Sequence, residues 1–258
     1  MNFSKYLIIF SAIVIVALSS CSSRKQTLYI QNPDGDSSLV FNSVKYQHIV
    51  TSGDILYINF YSFNKALSEI FNNKDFKNTY SMWNSPSNIY VNGFSVGDSG
   101  NVQLPLIGKV NIKDLTLNQA EQVIQEKART FVSDVTVTIK LLNYRYSVVG
   151  EVNHPGTFTN YNDNLTIFQA IAAAGDVTIY GNKTRSSIIR ETENGKVVIP
   201  FDFTKIDVLS SEVYYIKPND IIYIEPSKNK IFRQNLPNIA LLFSSISTTI
   251  LVLNYIGK

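Results

Sequence analysis

Two helix-start signals of the same kind lie in the middle of the chain, and they constrain its fold more than any other feature. In each, a threonine is followed three positions later by a glutamine, at Thr116 with Gln119 and at Thr166 with Gln169. This is the pattern of a capping box, in which both side chains bond to backbone amides at the start of a helix. Runs that alternate apolar and polar residues flank each helix and predict strands. The chain is therefore expected to be an α+β protein with two small sheet-plus-helix units.

The first unit is expected to span residues 46–142. Apolar residues at helical spacing line one face of its helix, which begins after Thr116. The other predicted elements are a strand at 55–60, a hairpin of 92–96 with 101–104 that ends at Pro105 and Gly108, and a strand at 135–141. We expect one sheet with one helix packed on it.

The second unit is expected to span residues 143–228. Its short helix begins after Thr166 and ends at Gly175, a residue that commonly terminates helices. The predicted strands and turns are a strand at 146–152, a turn at 154–156, a type I′ hairpin of 188–190 with 197–199 around Asn194-Gly195, and a strand at 221–226. The second unit therefore repeats the logic of the first.

One turn and strand occurs in both units. Ser52-Gly53-Asp54 precedes the strand at 55–60, and Pro218-Asn219-Asp220 precedes the strand at 221–226. Asparagine replaces glycine in the second copy, but both residues tolerate a positive φ. One backbone turn is therefore expected at both places, although Gly-Asp turns are common enough for the repeat to arise by chance.

The start of the chain has the layout of a secretory signal. Lys5 is positively charged, residues 7–18 are apolar apart from Ser11, and small residues precede Cys21. The stretch 18–21 resembles the bacterial lipobox, whose cysteine receives a lipid. We therefore expect a lipoprotein signal peptide at 1–20, a lipid on Cys21, and a lipidated N-terminus and linker at 21–45. A buried structural cysteine or a free thiol are the alternatives.

The end of the chain is expected to be a transmembrane helix at 231–257. Residues 236–257 carry no charge, and their length suits a membrane span. Ser244, Ser245, Thr248 and Thr249 fall on one side of this helix, and this face is expected to meet water or a neighbouring helix. Such hydroxyls also bond back to their own backbone, and the apolar core helix of a soluble domain is the alternative.

Charge and motif content point away from nucleic acid, metal and catalysis. The net charge is +3 and the pI about 8.7, without a basic cluster among aromatic residues. His48 and His154 have no zinc-type spacing with each other or with the cysteine. No phosphate loop, dinucleotide fingerprint or nucleophile elbow is present. We therefore expect a protein that is not an enzyme and has no cofactor beyond a covalent lipid on Cys21.

Several short motifs, in order, resemble the polysaccharide biosynthesis/export proteins, the Wza-like family. The motifs that resemble its N-terminal domain are SGDIL at 52–56, GNVQLPLIG at 100–108, the helix after Thr116 and the strand at 135–141. The motifs that resemble its soluble-ligand-binding β-grasp (SLBB) domain are VGEV at 149–152, Pro155-Gly156, AIAAAG at 170–175 and Arg190. Three positions depart from the family pattern, since Asp176 and Lys113-Asp114 stand where glycine is usual and Asp134 where proline is frequent. These departures bear on local turn shape. A single SLBB unit fits the sequence.

The resemblance implies an export domain, an SLBB domain and a C-terminal membrane helix in a subunit of an outer-membrane export channel. By family analogy the channel would be a homo-oligomeric ring of about eight subunits. It would pass a capsular or exopolysaccharide chain from the periplasm, where the bulk of the protein would lie, to the cell surface. Its lumen would be faced by the candidate residues Ser244, Ser245, Thr248 and Thr249 of the C-terminal helix. Its other partners would be outer-membrane lipid and an inner-membrane polysaccharide co-polymerase.

Two other functions remain open from the residues. A lipid-anchored periplasmic glycan-binding module would use the β-grasp domain to hold a soluble glycan. A glycan hydrolase would need a carboxylate pair such as Glu151 with Asp176. Gly150, Gly156 and Gly175 are expected to serve turns and packing rather than sugar binding, and the many tyrosines and phenylalanines to serve the core or subunit contacts.

Overall fold

The computed structural model of the protein describes residues 28–31, 35, 39–41, 43–72, 90–192 and 194–256. Within them the strands are β1 (Ile55–Tyr61), β2 (Phe94–Ser95), β3 (Asn101–Leu104), β4 (Gly108–Asn111), β5 (Thr136–Leu141), β6 (Arg145–Gly150), β7 (Gly156–Thr159), β8 (Leu165–Thr166), β9 (Gly181–Thr192), β10 (Gly195–Phe201), β11 (Tyr215–Ile216) and β12 (Ile221–Pro226). The helices are α1 (Lys65–Phe71), α2 (Leu117–Arg129), α3 (Ile167–Ala173) and α4 (Lys228–Ile256), with a 3-10 turn at Ile206–Ser210. The mixture of sheets and helices is the one expected. The predicted signal peptide and Cys21 lie outside the described residues.

The first unit is a three-stranded antiparallel sheet, in the order β2-β1-β5, with α2 against it. Every second residue of β1 is buried, including Leu56, Ile58 and Phe60. The buried face of α2 carries Ala120 and Ile124. Alternation in the strand and helical spacing in α2 thus bring two apolar faces into one core.

The hairpin of the first unit differs from the sequence prediction. Strand β3 pairs with β4 rather than with the 92–96 segment, and β2 pairs with β1. Pro105 and Gly108 therefore lie at the tip and base of the hairpin instead of ending it. Leu106 adopts a φ of +61° and Ile107 N–H donates to the Pro105 carbonyl at 2.7 Å, so that the chain reverses there. Pro105 and Gly108 therefore belong to a tight turn and do not end the hairpin.

The second unit contains a five-stranded mixed sheet in the order β10-β9-β12-β6-β7. Strands β12 and β6 run parallel, and the other neighbours are antiparallel. Helix α3 and the small β8–β11 pair cover a second core around Phe203, Ile188 and Ile222. Both predicted capping boxes are confirmed, since Thr116 with Gln119 and Thr166 with Gln169 each make the reciprocal pair of bonds. The SLBB assignment stays a prediction.

The repeated turn adopts the same conformation in both units, as predicted. Gly53 has a φ of +87° and Asn219 a φ of +67°. Asp54 accepts the Thr51 amide at 2.8 Å, and Asp220 accepts the Lys217 amide at 2.8 Å. Each aspartate therefore closes its turn by bonding the N–H three residues earlier.

At two of the positions that depart from the family pattern, the backbone has the positive φ that glycine favours. Asp114 has a φ of +63° and Asp176 a φ of +72°. Aspartate is among the few residues that enter the left-handed region at modest cost, because its short side chain bonds locally. Asp176 does so by accepting the Val177 amide at 2.6 Å.

The C-terminal helix α4 does not support the prediction of a transmembrane span at 231–257. In the described part of the chain, no helix combines the length and the apolar character needed to cross a membrane. Hydroxyl residues interrupt its apolar run, and they bond to their own helix: Ser244 to Leu241, Ser245 to Leu242, Thr248 to Ser244 and Thr249 to Ser245, at 2.8–2.9 Å. The back-bonding alternative is the arrangement observed. A lumen-facing role of these four residues stays a prediction.

Candidate functional site

The two units meet at the end of β5. Leu141 packs against both hydrophobic cores. The next residues hold the connection to the start of β1, because Leu142 N–H donates to the Ile55 carbonyl at 2.8 Å. Asn143 accepts the Ile55 amide and donates to the Gly53 carbonyl, both at 3.0 Å. The short link between the units is thus fixed by four backbone groups and one amide side chain.

A chain of hydrogen bonds lies beside this junction. His48 Nε2 is 2.7 Å from Asp54 Oδ2, and His48 Nδ1 is 3.0 Å from the Tyr46 hydroxyl. A neutral imidazole with its proton on Nε2 donates to the carboxylate and accepts from the phenol, which satisfies all three side chains. The Tyr46 side chain is therefore held in one orientation by the turn at Asp54.

Tyr46 also contacts the second unit. The Lys217 ammonium lies 5.8 Å from the centre of its ring. Burial, followed by the negative charges of Asp54 and Asp220, raises the pKa of Tyr46 to about 12, with Arg190 acting in the opposite direction. The phenol is therefore neutral at physiological pH and able to donate.

A cavity of about 780 Å³ opens next to this chain of bonds, between the two units. Its walls come from four stretches of chain, within 46–48, 116–121, 139–144 and 160–164, together with Tyr57. We call it the interdomain cleft. Tyrosine rings and side-chain amides predominate among its polar groups, and its volume is in the range of small-molecule binding sites.

The floor of the interdomain cleft is braced from the first unit. β5 is an edge strand, and side chains of α2 satisfy its outward amides: Glu121 Oε1 accepts from Ile139 at 2.7 Å and Gln125 Oε1 from Val137 at 3.1 Å. These bonds block the pairing of another strand at that point. The cleft is thus suited to a ligand held by side chains rather than to an added β-strand.

The other candidate residues are placed apart from this cleft or outside the described chain. Cys21 lies outside the described residues, and the hydroxyl residues of α4 are exposed. Gly150 packs against Ile224, whose carbonyl oxygen would lie 2.1 Å from a Cβ at that position; a Cβ at Gly175 would lie 2.4 Å from the His154 ring. Both glycines therefore serve turns and packing, as expected.

The proposed hydrolytic pair has other partners. Glu151 forms an ion pair with Lys230 and accepts the Thr178 hydroxyl, and the Lys230 contact lowers the pKa of its carboxyl group. Asp176 accepts the Tyr29 hydroxyl. A general acid of a glycosidase needs a raised pKa, so Glu151 is unsuited to that role. Within the described residues, no group of three His, Cys, Asp or Glu side chains is arranged to hold a metal ion.

Sequence reasoning missed the interdomain cleft because its residues are far apart in the chain. One local signal was available, namely the run Asn-Tyr-Asn-Asp-Asn at 160–164, which is rich in amides around one tyrosine. It lies between the predicted turn at 154–156 and the helix that begins after Thr166.

Comparison with known proteins gives one family match. Residues 42–142 match the family described as polysaccharide biosynthesis/export protein. The described part of this range contains β1 to β5, α1 and α2, and it ends at the junction between the two units.

Two curated proteins are similar to part of the chain. The EPS I polysaccharide export outer membrane protein EpsA of Ralstonia solanacearum is 28% identical over 148 residues, which are 55% of this chain and 38% of that protein. The protein of the same name from Ralstonia nicotianae is 32% identical over 110 residues, 41% of this chain and 28% of that protein. The chain therefore matches well under half the length of these relatives. The family is one of export proteins, in agreement with the expectation that the chain is not an enzyme.

Proposed function

Residues 42–142 match the polysaccharide biosynthesis/export family, and from that premise we propose that the chain is a subunit of an outer-membrane polysaccharide exporter. The single observation that supports this most is the family match, which covers the whole first unit. The names of both relatives, as polysaccharide export outer membrane proteins, support the same role and the same membrane.

In this proposal the protein is a conduit component. A lipid on Cys21 anchors it to the outer membrane, and its two units lie in the periplasm. Several copies form a ring through which a capsular or exopolysaccharide chain passes, and an inner-membrane co-polymerase delivers that chain. The placement of the anchor is supported by the single cysteine of the sequence, which directly follows an apolar stretch and two serines.

The experiment that tests export is deletion of the gene in the producing strain. Polysaccharide should disappear from the cell surface, while sugar polymerisation in cell extracts continues, because the protein supplies passage and no chemistry. Restoration by the intact gene is the control. Loss of polymerisation in extracts that lack this protein alone would contradict the proposal and indicate a synthetic enzyme.

The anchor is tested separately by Cys21→Ser. Serine cannot form the thioether on which lipidation depends, so labelled palmitate should not be incorporated and the precursor should remain uncleaved. Incorporation of label into Cys21→Ser protein would show that the lipid is attached elsewhere.

A second function, a lipid-anchored glycan-binding module, is favoured by one observation, the interdomain cleft with its tyrosines and amides. Particle size in mild detergent distinguishes the two, because an export ring migrates as a large homo-oligomer and an anchored binding module as a small species. A small species in a strain that still needs the protein for surface polysaccharide would favour the binding module.

A further inference from the structure

The interdomain cleft combines flat aromatic rings with amide side chains. Tyr46, Tyr57 and Tyr161 contribute the rings, and Asn118, Asn162 and Asn164 contribute amides. A sugar ring has apolar C–H faces and a rim of hydroxyls, so it requires both kinds of group: rings that bury its faces and groups that both donate and accept hydrogen bonds. Aliphatic residues alone would not satisfy the hydroxyls, and a cluster of one charge would not cover the faces.

The loop at 160–164 is held in shape and keeps polar groups available. Asn160 is buried, donates to the Asn162 carbonyl at 2.6 Å and accepts the Asn162 amide at 3.1 Å. The side-chain oxygen of Asn164 is buried without a hydrogen-bond partner among the described residues. A buried acceptor that lacks a donor is costly, and a hydroxyl in the cleft would relieve that cost.

The charges around the cleft favour a neutral ligand. Lys140 pairs with Asp163 at 3.4 Å, and the carboxylate of Glu121 is directed to the Ile139 amide. The lining carries two carboxylates, Glu121 and Asp163, and one ammonium group, Lys140, so an acidic sugar would meet a net negative charge.

We propose that the interdomain cleft binds a short neutral stretch of the exported polysaccharide, about two or three sugar units given its volume. This inference rests on the proposed export function and adds a contact site for the polymer at the junction of the two units. Tyr161, 76% exposed at the cleft, stacks on a sugar face. Tyr46, fixed by His48, offers its phenol oxygen to a sugar hydroxyl.

The test uses the full-length protein in mild detergent. The probe is a set of short oligosaccharides made by partial hydrolysis of the polymer that the producing strain secretes, and binding is measured by calorimetry and by saturation-transfer NMR. Tyr161→Ala should weaken binding about tenfold, as expected for removal of a central aromatic contact. Tyr90→Ala is the matched control, because Tyr90 is 71% exposed and lies outside the cleft lining. It should bind as the unaltered protein does.

A second arm tests the preference for neutral sugars. If the polymer contains uronic acids, fragments whose carboxyl groups have been reduced should bind more tightly than the acidic originals. Tighter binding of the acidic fragments would overturn the charge argument.

Three outcomes would overturn the site itself: no binding by the unaltered protein, equal binding by Tyr161→Ala, or an equal loss in Tyr90→Ala. These results are separable from failure of the export function. A protein that binds no fragment but is still required for surface polysaccharide would refute the cleft and leave export intact. A protein that binds fragments through Tyr161 but is dispensable for surface polysaccharide would refute export instead.

Discussion

The turns at 51–54 and 217–220 share one backbone and differ in the basic partner of their aspartate. Asp54 pairs with His48, whose side chain is 10% exposed, and Asp220 pairs with Arg190, whose side chain is 6% exposed. Histidine is able to be neutral, whereas arginine carries its charge at all accessible pH values. The same turn therefore serves a polar contact at the interdomain cleft in one unit and a buried ion pair in the other.

The largest effect is expected for Asp220→Ala. It would leave the Arg190 guanidinium buried without its carboxylate, to which it donates two bonds at 2.9 and 2.7 Å. Breaking such a pair from one side typically costs about 3–5 kcal/mol of unfolding free energy. Urea unfolding followed by circular dichroism measures the loss.

The control for Asp220→Ala is Glu225→Ala, which removes the more exposed ion pair with Arg185 and should cost at most about 1 kcal/mol. If Asp220→Ala does not fold, the double variant Arg190→Met with Asp220→Leu should, because it removes both charges. Equal losses in Asp220→Ala and Glu225→Ala would contradict the burial argument.

Asp54→Ala is expected to cost less, about 1–3 kcal/mol, which is the usual penalty for unsatisfied polar groups. The Thr51 amide and His48 lose their acceptor, but no guanidinium is left buried, because the partner of Asp54 is an imidazole. Asp98→Ala is the matched control, since Asp98 is an exposed acceptor of a hydroxyl in the same turn, that of Ser52. A loss as large as that of Asp220→Ala would remove the distinction between the two turns.

Smaller losses of unfolding free energy are expected for substitutions at the positive-φ residue of each turn, Gly53 and Asn219. Gly53 has a positive φ and open space where a Cβ would stand, so the cost of Gly53→Ala is conformational and should be about 1 kcal/mol. Gly53→Asn, which copies the second turn, should cost less. Asn219→Gly should change the unfolding free energy by less than about 0.5 kcal/mol. Thermal melts of the three variants test the order, and a larger loss for Gly53→Asn than for Gly53→Ala would contradict it.

Features with a local physical cause were predictable from the sequence. Both capping boxes and both turns depend on residues within four positions of one another, and they formed as predicted. The hairpin at 101–111 was misread because proline and glycine both end strands and form tight turns, and pairing decides between these roles. The C-terminal helix was predicted correctly as a helix, but hydrophobic residues alone did not establish a membrane span.

The interdomain cleft and the pair of Arg190 with Asp220 depend on long-range contacts. Arg190 and Asp220 are 30 positions apart, and Tyr46 meets Lys217 from the other unit. No local pattern marks such partners, because they come together only when the sheets and the junction at Leu141 have formed. The candidate site therefore could not be assigned from sequence periodicity.

A small change at neutral pH, about 0.5 kcal/mol, is expected for Tyr46→Phe, which removes one hydrogen bond to His48. Its effect should depend on alkaline pH. The folded protein raises the pKa of Tyr46 from about 10 to about 12. The stability that depends on the neutral phenol is therefore complete below pH 10 and is lost as the pH rises from about 10 towards 12, because the unfolded chain ionises first.

The unfolding free energy of the unaltered protein should accordingly fall more steeply than that of Tyr46→Phe between pH 10 and 12. Other tyrosines are common to both proteins and cancel in the difference. The pKa of Tyr46, read from the difference in ultraviolet absorbance, should fall more in Asp54→Ala than in Asp220→Ala, because the Asp54 charge is the larger electrostatic cause of the shift. Parallel slopes in the two proteins would show that folding does not raise the pKa of Tyr46. A larger fall in Asp220→Ala would place Tyr46 closer to the ion pair of the second unit than to the histidine of the first.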